Sequence, residues 1–208
     1  MPSAYHITRI ENIPAIWEAG HLACDDDVAC LQNRPHTFAY EDIKSRRRRK
    51  VIPVGPGGTL SSYVPFYFAH RSPMLATVFY RDRDRGTHDQ DLIAHFRVEV
   101  EQIATENLPF VFSDGHGIMD LTNFYANLTD LNRVDWNLIR STSWFDTVDD
   151  PDRKRRKQAE FLVHKRLPIR HIIEIGVKND HARREVEFLL AFQAVRPPVV
   201  IRPEWYYR

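Results

Sequence analysis

The chain has 208 residues, 43% of them hydrophobic, which suits one domain with one substantial core and not two large independent domains. Because 29 Lys and Arg residues face 28 Asp and Glu residues, the formal net charge is only +1, and no global excess of charge points to nucleic acid. Two cysteines, Cys24 and Cys30, exclude a disulfide framework and a four-cysteine zinc site. No apolar run reaches the roughly 20 residues that span a bilayer, and the first residues lack a secretory signal, so we expect a cytoplasmic protein.

The first half of the chain predicts strands and helices around one long polar stretch. In chain order it contains a strand around Tyr5 and Ile7, a helix capped by Asn12 and ended by Gly20, a polar segment over 24–50, a Pro/Gly turn at 53–58, a strand over 63–69 and a short helix begun by Ser72-Pro73. The polar segment begins with three aspartates and ends in a basic run, a composition typical of a mobile or ligand-ordered segment.

The second half predicts more short elements without a regular rhythm. They are strands over 92–100 and 109–112, several short helical pieces over 113–152, strands over 158–163 and 172–177, an amphipathic helix over 182–192 and a last strand over 199–201. Since strands and helices do not alternate as βαβ units, we expect an α+β domain and not a doubly wound sheet. A connection as long as 113–152 is usually functional.

Several familiar signatures are absent. The only glycine cluster, at 55–58, leads into a strand, whereas a Rossmann or phosphate-binding loop must open a helix. The ten histidines include no pair four residues apart with a glutamate between them, so we expect no metal site. No G-x-S-x-G nucleophile elbow is present either.

Two basic runs are the strongest local charges. Residues 44–50 include six cations in seven positions, and 153–157 are five cations in five. Such runs form either a solvated charge-rich face or a phosphate-binding groove, and we favour the groove. The aromatic residues that are candidates to stack on unpaired bases, and equally candidates for the core, are Tyr63, Tyr125, Trp136 and Trp144.

Glu160 is unusual because it lies in the β-favouring apolar run QAEFLV. A carboxylate in such a run either points to solvent from an edge strand or is held in a cleft where its charge is used. The run by itself slightly favours the edge strand.

Five segments carry a resemblance to a known family. They are YHIT at 5–8, the arginine pair 46–47, the run YVPFYFA at 63–69 with RSPM at 71–74, FSDGH at 112–116, and DRKRRKQAEFLV at 152–163. Together and in this order they resemble the DarT family, the DNA ADP-ribosyltransferase toxins of toxin–antitoxin systems. The resemblance implies one ADP-ribosyltransferase domain over 1–208, related to the poly-ADP-ribose polymerases, with a split β-sheet that binds NAD without a Rossmann turn.

The resemblance also implies a reaction and its partners. Enzymes of this family transfer ADP-ribose from NAD to a base of single-stranded DNA, in the commonest branch thymine, and release nicotinamide. The partner is a DarG-type antitoxin whose macrodomain removes the modification. Two alternatives stay open: the same fold acting on guanine or on RNA, and a non-catalytic nucleic-acid-binding module that kept the basic runs.

The resemblance assigns roles to individual residues. The catalytic residues are Glu160 and Arg47. The NAD-binding residues are His6, Ile7, Thr8, Ala15, Ala23, Arg47 and Tyr67. The DNA-binding residues are His116, Tyr125, Trp144, Arg153, Arg155 and Arg156, with Asn123 as a further base contact. Residues from about 24 to 50 would cover NAD, and those from about 114 to 160 would present the acceptor. Because 46–49 is an unbroken run of arginines, the choice of Arg47 depends on its distance from the Pro/Gly turn.

Overall fold

A computed structural model describes residues 2–29 and 41–208, so Cys30 and residues 31–40 of the expected NAD-covering element lie outside the described residues. The strands are β1 (Ser3–Arg9), β2 (His21–Ala23), β3 (Tyr63–Tyr67), β4 (Ile93–Glu99), β5 (Phe110–Ser113), β6 (Phe124–Tyr125), β7 (Glu160–His164), β8 (Arg166–Pro168), β9 (Glu174–Val177) and β10 (Val199–Ile201). The α-helices are α1 (Ile13–Ala19), α2 (Asp25–Ala29), α3 (Glu41–Arg49), α4 (Pro73–Arg85), α5 (Val100–Thr105), α6 (Trp136–Arg140), α7 (Arg153–Arg156) and α8 (Asp180–Leu189).

The main sheet has eight strands in the order β10-β9-β4-β1-β3-β7-β5-β6, and β2 pairs with β8 in a second sheet. All neighbours in the main sheet are antiparallel except β9 and β10. Strand β1 pairs with β4 over its whole length, but its register with β3 is the single pair Tyr5–Tyr67. The sheet therefore consists of two halves that separate beyond Tyr5, which confirms the expected α+β fold with a split sheet.

Local sequence signals explain most helix ends. Gly20 adopts φ 71° and ends α1, and the Ser72 side chain accepts from the Leu75 backbone N–H at the start of α4. Asn12 stands at the N-cap position of α1 as expected, but its side chain makes no capping hydrogen bond there, and its amide N–H donates to the Thr8 hydroxyl at 3.2 Å. Helix α5 was not predicted, because the alternating pattern of the preceding strand continues to Val100, where the helix begins.

Alternation along the strands divides the core between the two faces of the sheet. One face carries the largest cluster, including Phe66, Phe96 and Phe161. The other face carries two smaller clusters, one around Tyr63 and Leu162 in the β3–β7 half and one around residues of β1, α4 and 203–206. Because Tyr67 is in register with Glu160, as Tyr63 is with His164, this pair lies on the face of the two smaller clusters, where the halves of the sheet separate.

Within 2–29 and 41–208, no helix has both the length and the apolar content needed to cross a membrane. In the same residues, no group of three or more His, Cys, Asp or Glu side chains is arranged to hold a metal ion.

Candidate active site

Glu160 is the first residue of β7, and its side chain is completely buried. One carboxylate oxygen, Oε2, accepts from Nη1 of Arg47 at 2.9 Å, and the other, Oε1, accepts from the backbone N–H of Gly117 at 3.0 Å. Strand β7 lies between β3 and β5, so the edge-strand interpretation is wrong. A carboxylate held out of water needs such paired donors, since burial without them is strongly unfavourable.

Helix α3 turns one arginine of the basic run inward. Arg47 is 7% exposed, whereas Arg46, Arg48 and Arg49 are exposed to solvent. Besides its bond to Glu160, Arg47 donates from Nη2 to the Leu60 carbonyl at 3.3 Å, and its Nε lies 3.8 Å from Asp25 Oδ2. Burial by itself would lower the pKa of Arg47, but the charge and hydrogen bond of Glu160, together with the smaller effects of Asp25 and Tyr67, raise it. Arg47 therefore stays a cation and cannot take a proton.

The segment 113–117 holds the Glu160 carboxylate in place. The Ser113 hydroxyl accepts from the Glu160 backbone N–H at 3.1 Å and donates to the Gly115 carbonyl at 2.7 Å. A Cβ at Gly117 would lie 2.8 Å from Leu60 and 3.2 Å from Glu160 Oε1, so only glycine brings this N–H so close. Sequence reasoning missed the role of Ser113 and Gly117, although two glycines around His116 were a signal for a tight backbone approach.

His6 lies where the two halves of the sheet separate, and its ring, in register with Phe96, lies on the face of the largest cluster. Its Nδ1 is 2.8 Å from the Pro65 carbonyl oxygen. Because a carbonyl only accepts, Nδ1 carries the proton, and burial lowers the pKa of the ring, so Nε2 keeps a lone pair. That nitrogen can accept a hydrogen bond from a hydroxyl group. In the described strands β3 pairs with β1 only at Tyr5. The edge of β1 at Ile7 and Thr8 therefore faces the gap between the two halves of the sheet.

The remaining NAD-binding candidates occupy different positions. Tyr67 is in register with Glu160, and burial together with the Glu160 charge raises the pKa of its phenol, so the ring is neutral. Ala15 is exposed on α1, and Ala23 lies in β2 in register with Arg166. The structure thus brings Tyr67, Arg47 and Glu160 together, while the two alanines lie on elements before α2.

The three arginines of the second basic run that were predicted to bind DNA have partners within the chain. Arg155 binds Asp114 at 2.9 Å and Asp152 at 2.7 Å. Arg156 binds Asp135 at 2.7 Å and also Asp150. Arg153 donates to the backbone carbonyls of residues 143 and 145. In this structure these arginines hold the segment 114–160 in its fold, so their charges are not available as a row of free cations.

The other DNA-binding candidates divide into accessible and buried side chains. His116 and Tyr125 are partly exposed, and burial lowers the pKa of His116. Tyr125 stacks on Phe112, with ring centroids 5.3 Å apart. Trp144 is only 5% exposed, and its indole N–H donates to Tyr207, so its position does not support a base contact. Asn123 is exposed but bonds to Asp114.

A cavity of about 290 Å³ is lined by Phe68 and Ala69, which directly follow β3, and by Tyr5, the register partner of Tyr67. The described residues that line it include Arg71, Lys157 and Trp144, and none of them is acidic. Lys157 Nζ donates to three backbone carbonyls of residues 138, 139 and 141, and burial followed by the Arg71 charge lowers the pKa of Lys157 to about 8. Nε of Arg71 is buried and has no hydrogen-bond partner among the described residues. Cations without a carboxylate make this cavity suited to an anionic group.

Comparison with known proteins decides the family. A family profile described as ssDNA thymidine ADP-ribosyltransferase, DarT, matches residues 5–207. The chain belongs to the DarT family. A DNA ADP-ribosyl transferase of Thermus sp. (strain 2.9) is 38% identical over 205 residues, which are 98% of this chain and 95% of that protein. One from Escherichia coli O127:H6 is 30% identical over 203 residues, covering 98% of this chain and 92% of that protein.

Solved DarT structures agree with this assignment. Thermus sp. 2.9 DarT in complex with ADP-ribosylated ssDNA matches with a TM-score of 0.90 at 37% identity and covers 99% of this chain and 96% of that one. The same protein in complex with NAD+ gives a TM-score of 0.85 at 36% identity, with coverage of 99% and 98%. Thermosipho africanus DarTG in complex with ADP-ribose shares the fold alone, at 20% identity, with a TM-score of 0.78 over 100% of this chain and 51% of that one. The ADP-ribosyltransferase fold expected for a DarT family member is confirmed.

Proposed function

We propose that this chain transfers ADP-ribose from NAD+ to a thymine base in single-stranded DNA and releases nicotinamide. The observation that carries the proposal is the buried Glu160–Arg47 pair on the face of a split sheet, beside Tyr67, in a chain of the DarT family. Glu160 is the catalytic carboxylate and Arg47 the catalytic cation in this proposal.

On the donor side, the carboxylate of Glu160 acts as an electrostatic stabiliser. Cleavage of the nicotinamide–ribose bond develops positive charge on the ribose, and a fixed anion facing that carbon stabilises the transition state. Nε2 of His6 accepts a ribose hydroxyl, and the neutral ring of Tyr67 stacks on nicotinamide. The backbone of Ile7 and Thr8 meets the nicotinamide amide at the open edge of β1. Residues from about 24 to 50 cover the dinucleotide, with Ala15 and Ala23 at its border.

On the acceptor side, thymine must lose a proton. Its N3 is protonated at neutral pH, so the new N3–C1′ bond forms as the N3 proton leaves and the bond from C1′ to nicotinamide breaks. Arg47 cannot take this proton because its pKa is raised, so it stabilises the negative charge that develops on the base. Glu160 or a water molecule receives the proton, and nicotinamide leaves as a neutral molecule.

The acceptor strand approaches along the segment from about 114 to 160. We place a backbone phosphate in the cavity of Arg71 and Lys157, because their cations have no carboxylate beside them there. His116 and Tyr125 are the base contacts, and Arg153, Arg155 and Arg156 act through the fold of the segment. Unpaired DNA suits this geometry, since no energy is spent on extracting a base from a duplex.

The charge of Lys157 gives a pH dependence. Its lowered pKa of about 8 means that the cation is present below that pH and is lost above it. The KM for a thymine oligonucleotide should therefore rise as the pH passes through about 8. In Lys157→Met, which is neutral at every pH, KM should be high already at neutral pH and should not change in this range. Steady-state kinetics at several pH values check this. A wild-type KM that stays flat through this range contradicts the role given to Lys157.

We further propose the biological setting that membership of the family suggests. A bulky charged adduct on the pairing edge of thymine blocks base pairing and hence replication, so the enzyme acts as the toxin of a toxin–antitoxin pair. Its partner is an antitoxin of the DarG type, whose macrodomain removes the adduct, and both act in the cytoplasm, where NAD+ and replicating DNA occur together.

Mass spectrometry of matched oligonucleotides tests the proposed function. The protein is incubated with NAD+ and single strands that differ at one position, thymine against each other base, together with the RNA counterpart and the duplex. We expect one added ADP-ribose on the thymine single strand and an equal amount of nicotinamide. Labelling of guanine or of RNA instead would show that the acceptor is that base or that nucleic acid and not thymine in DNA. If NAD+ neither raises the melting temperature nor yields nicotinamide in the presence of DNA, the chain is a nucleic-acid-binding module.

A further inference from the structure

The segment 203–207 is firmly packed against the β4–β9 side of the sheet. The Trp205 ring lies over Gly176, where a Cβ would come within 2.2 Å of it. Tyr206 is fully buried, and its hydroxyl donates to the backbone carbonyl of Ile93 at 2.7 Å. The backbone of Tyr207 exchanges hydrogen bonds with the side chain of Gln90, at 3.0 and 3.2 Å. This segment is therefore a fixed support, and Tyr207 extends from it.

The side chain of Tyr207 reaches two separate loops at the cavity. Its hydroxyl accepts from the indole N–H of Trp144 at 3.1 Å, and Trp144 lies in the loop after α6. The same oxygen is 3.3 Å from the Arg71 carbonyl and 3.4 Å from the Ser72 carbonyl, in the loop between β3 and α4, and its single proton can be donated to one of them. The Arg71 guanidinium lies 6.0 Å from the centroid of the Tyr207 ring. Tyr207 itself lines the cavity.

We propose that Tyr207 is a positioning residue for the acceptor strand. Its hydroxyl joins the Trp144 loop to the Arg71 loop, so that the two walls of the cavity keep one separation and the Arg71 guanidinium faces an anionic group within reach of the Lys157 charge. This inference rests on the proposed function, because the cavity is taken as the site of a DNA phosphate. It adds to that proposal a residue 47 positions beyond Glu160 that the family resemblance did not single out.

The contacts of Tyr207 predict which step it affects. None of its hydrogen bonds involves Glu160, Arg47 or His6, so the donor side of the site does not depend on its hydroxyl. Loss of the hydroxyl frees the two loops from each other but leaves the ring in place. The effect should therefore fall on DNA affinity and not on NAD+ or on the rate at saturating DNA.

Tyr207→Phe tests the proposal because it removes only the hydroxyl. We expect the KM for a thymine oligonucleotide to rise about five- to tenfold, the scale of one lost hydrogen bond. The kcat, the KM for NAD+ and the release of nicotinamide without DNA should stay unchanged. Tyr80→Phe is the matched control, since Tyr80 is an exposed tyrosine on α4, and it should change none of these values. Trp144→Phe removes the N–H partner of the same hydroxyl. The KM for the oligonucleotide in the double variant should be little higher than in either single variant, because both single variants lose the same hydrogen bond.

Two results would overturn the proposal. One is a KM for the oligonucleotide equal to that of the wild type. The other is a parallel loss of kcat, NAD+ affinity and melting temperature, which would make Tyr207 a structural residue. Either result leaves the proposed function intact as long as the wild type labels thymine in the same assay, and failure of the wild type to do so is a failure of the proposed function itself.

Discussion

Glu160→Gln is expected to lower the rate of ADP-ribose transfer about 10³-fold in a protein that still folds. Glutamine keeps the shape of the side chain but removes the negative charge that faces the ribose in the transition state. Its amide has one oxygen, so it cannot accept from both Arg47 and the Gly117 N–H as the carboxylate does at 2.9 and 3.0 Å. Some stability is lost as well, because Arg47 becomes a buried cation without its closest partner.

The matched control separates chemistry from stability. Glu174→Gln makes the same substitution in β9, where Glu174 is buried and bound to Arg97 at 3.1 Å and to Arg202 at 2.7 Å. It should lower the melting temperature and leave transfer per folded molecule unchanged. Rates are measured well below both melting temperatures, and overexpression in cells adds a second readout, with growth arrest by the wild type and none by Glu160→Gln. Equal loss of transfer in both variants would make Glu160 a structural residue.

Arg47→Lys is expected to lower the rate about 10²-fold, although it keeps the positive charge. Arg47 uses two guanidinium nitrogens at once, one for Glu160 and one for the Leu60 carbonyl, and holds Nε near Asp25. A lysine ammonium is a single point and cannot hold this geometry or lie flat beside the developing charge on thymine.

The neighbouring arginines provide controls of the same chemistry. Arg46→Lys, Arg48→Lys and Arg49→Lys change exposed residues of the same helix and should each keep transfer near the wild-type rate. Melting with and without NAD+ shows whether the donor still binds. A loss of transfer confined to Arg46→Lys would show that Arg46 enters the site and Arg47 does not.

The position of Glu160 illustrates what the sequence could and could not predict. The run QAEFLV correctly indicated a strand, but whether that strand lies at an edge depends on its pairing with β3 and β5, which are distant in sequence. In the same way, helical periodicity requires that one arginine of 46–49 face inward, but only the positions of Leu60 and Glu160 decide that it is Arg47. The resemblance supplied both residues, and their contacts come from tertiary structure.

The second basic run shows the limit of reasoning from charge. Its arginines were predicted to hold phosphates, yet the structure pairs Arg155 and Arg156 with aspartates as far away as residues 114 and 135. Those pairings cannot be seen in a local window of sequence. Conversely, Arg71 stands outside both basic runs, and nothing in its neighbourhood of the sequence marked it as a cation of the cavity.

A crystal structure of Glu160→Gln with NAD+ bound tests the central claim most directly. The slow variant should retain intact NAD+, with a hydroxyl of the nicotinamide ribose within hydrogen-bonding distance of the residue 160 side chain and the ring of Tyr67 against nicotinamide. NAD+ bound with its nicotinamide ribose out of reach of residue 160 would contradict the account.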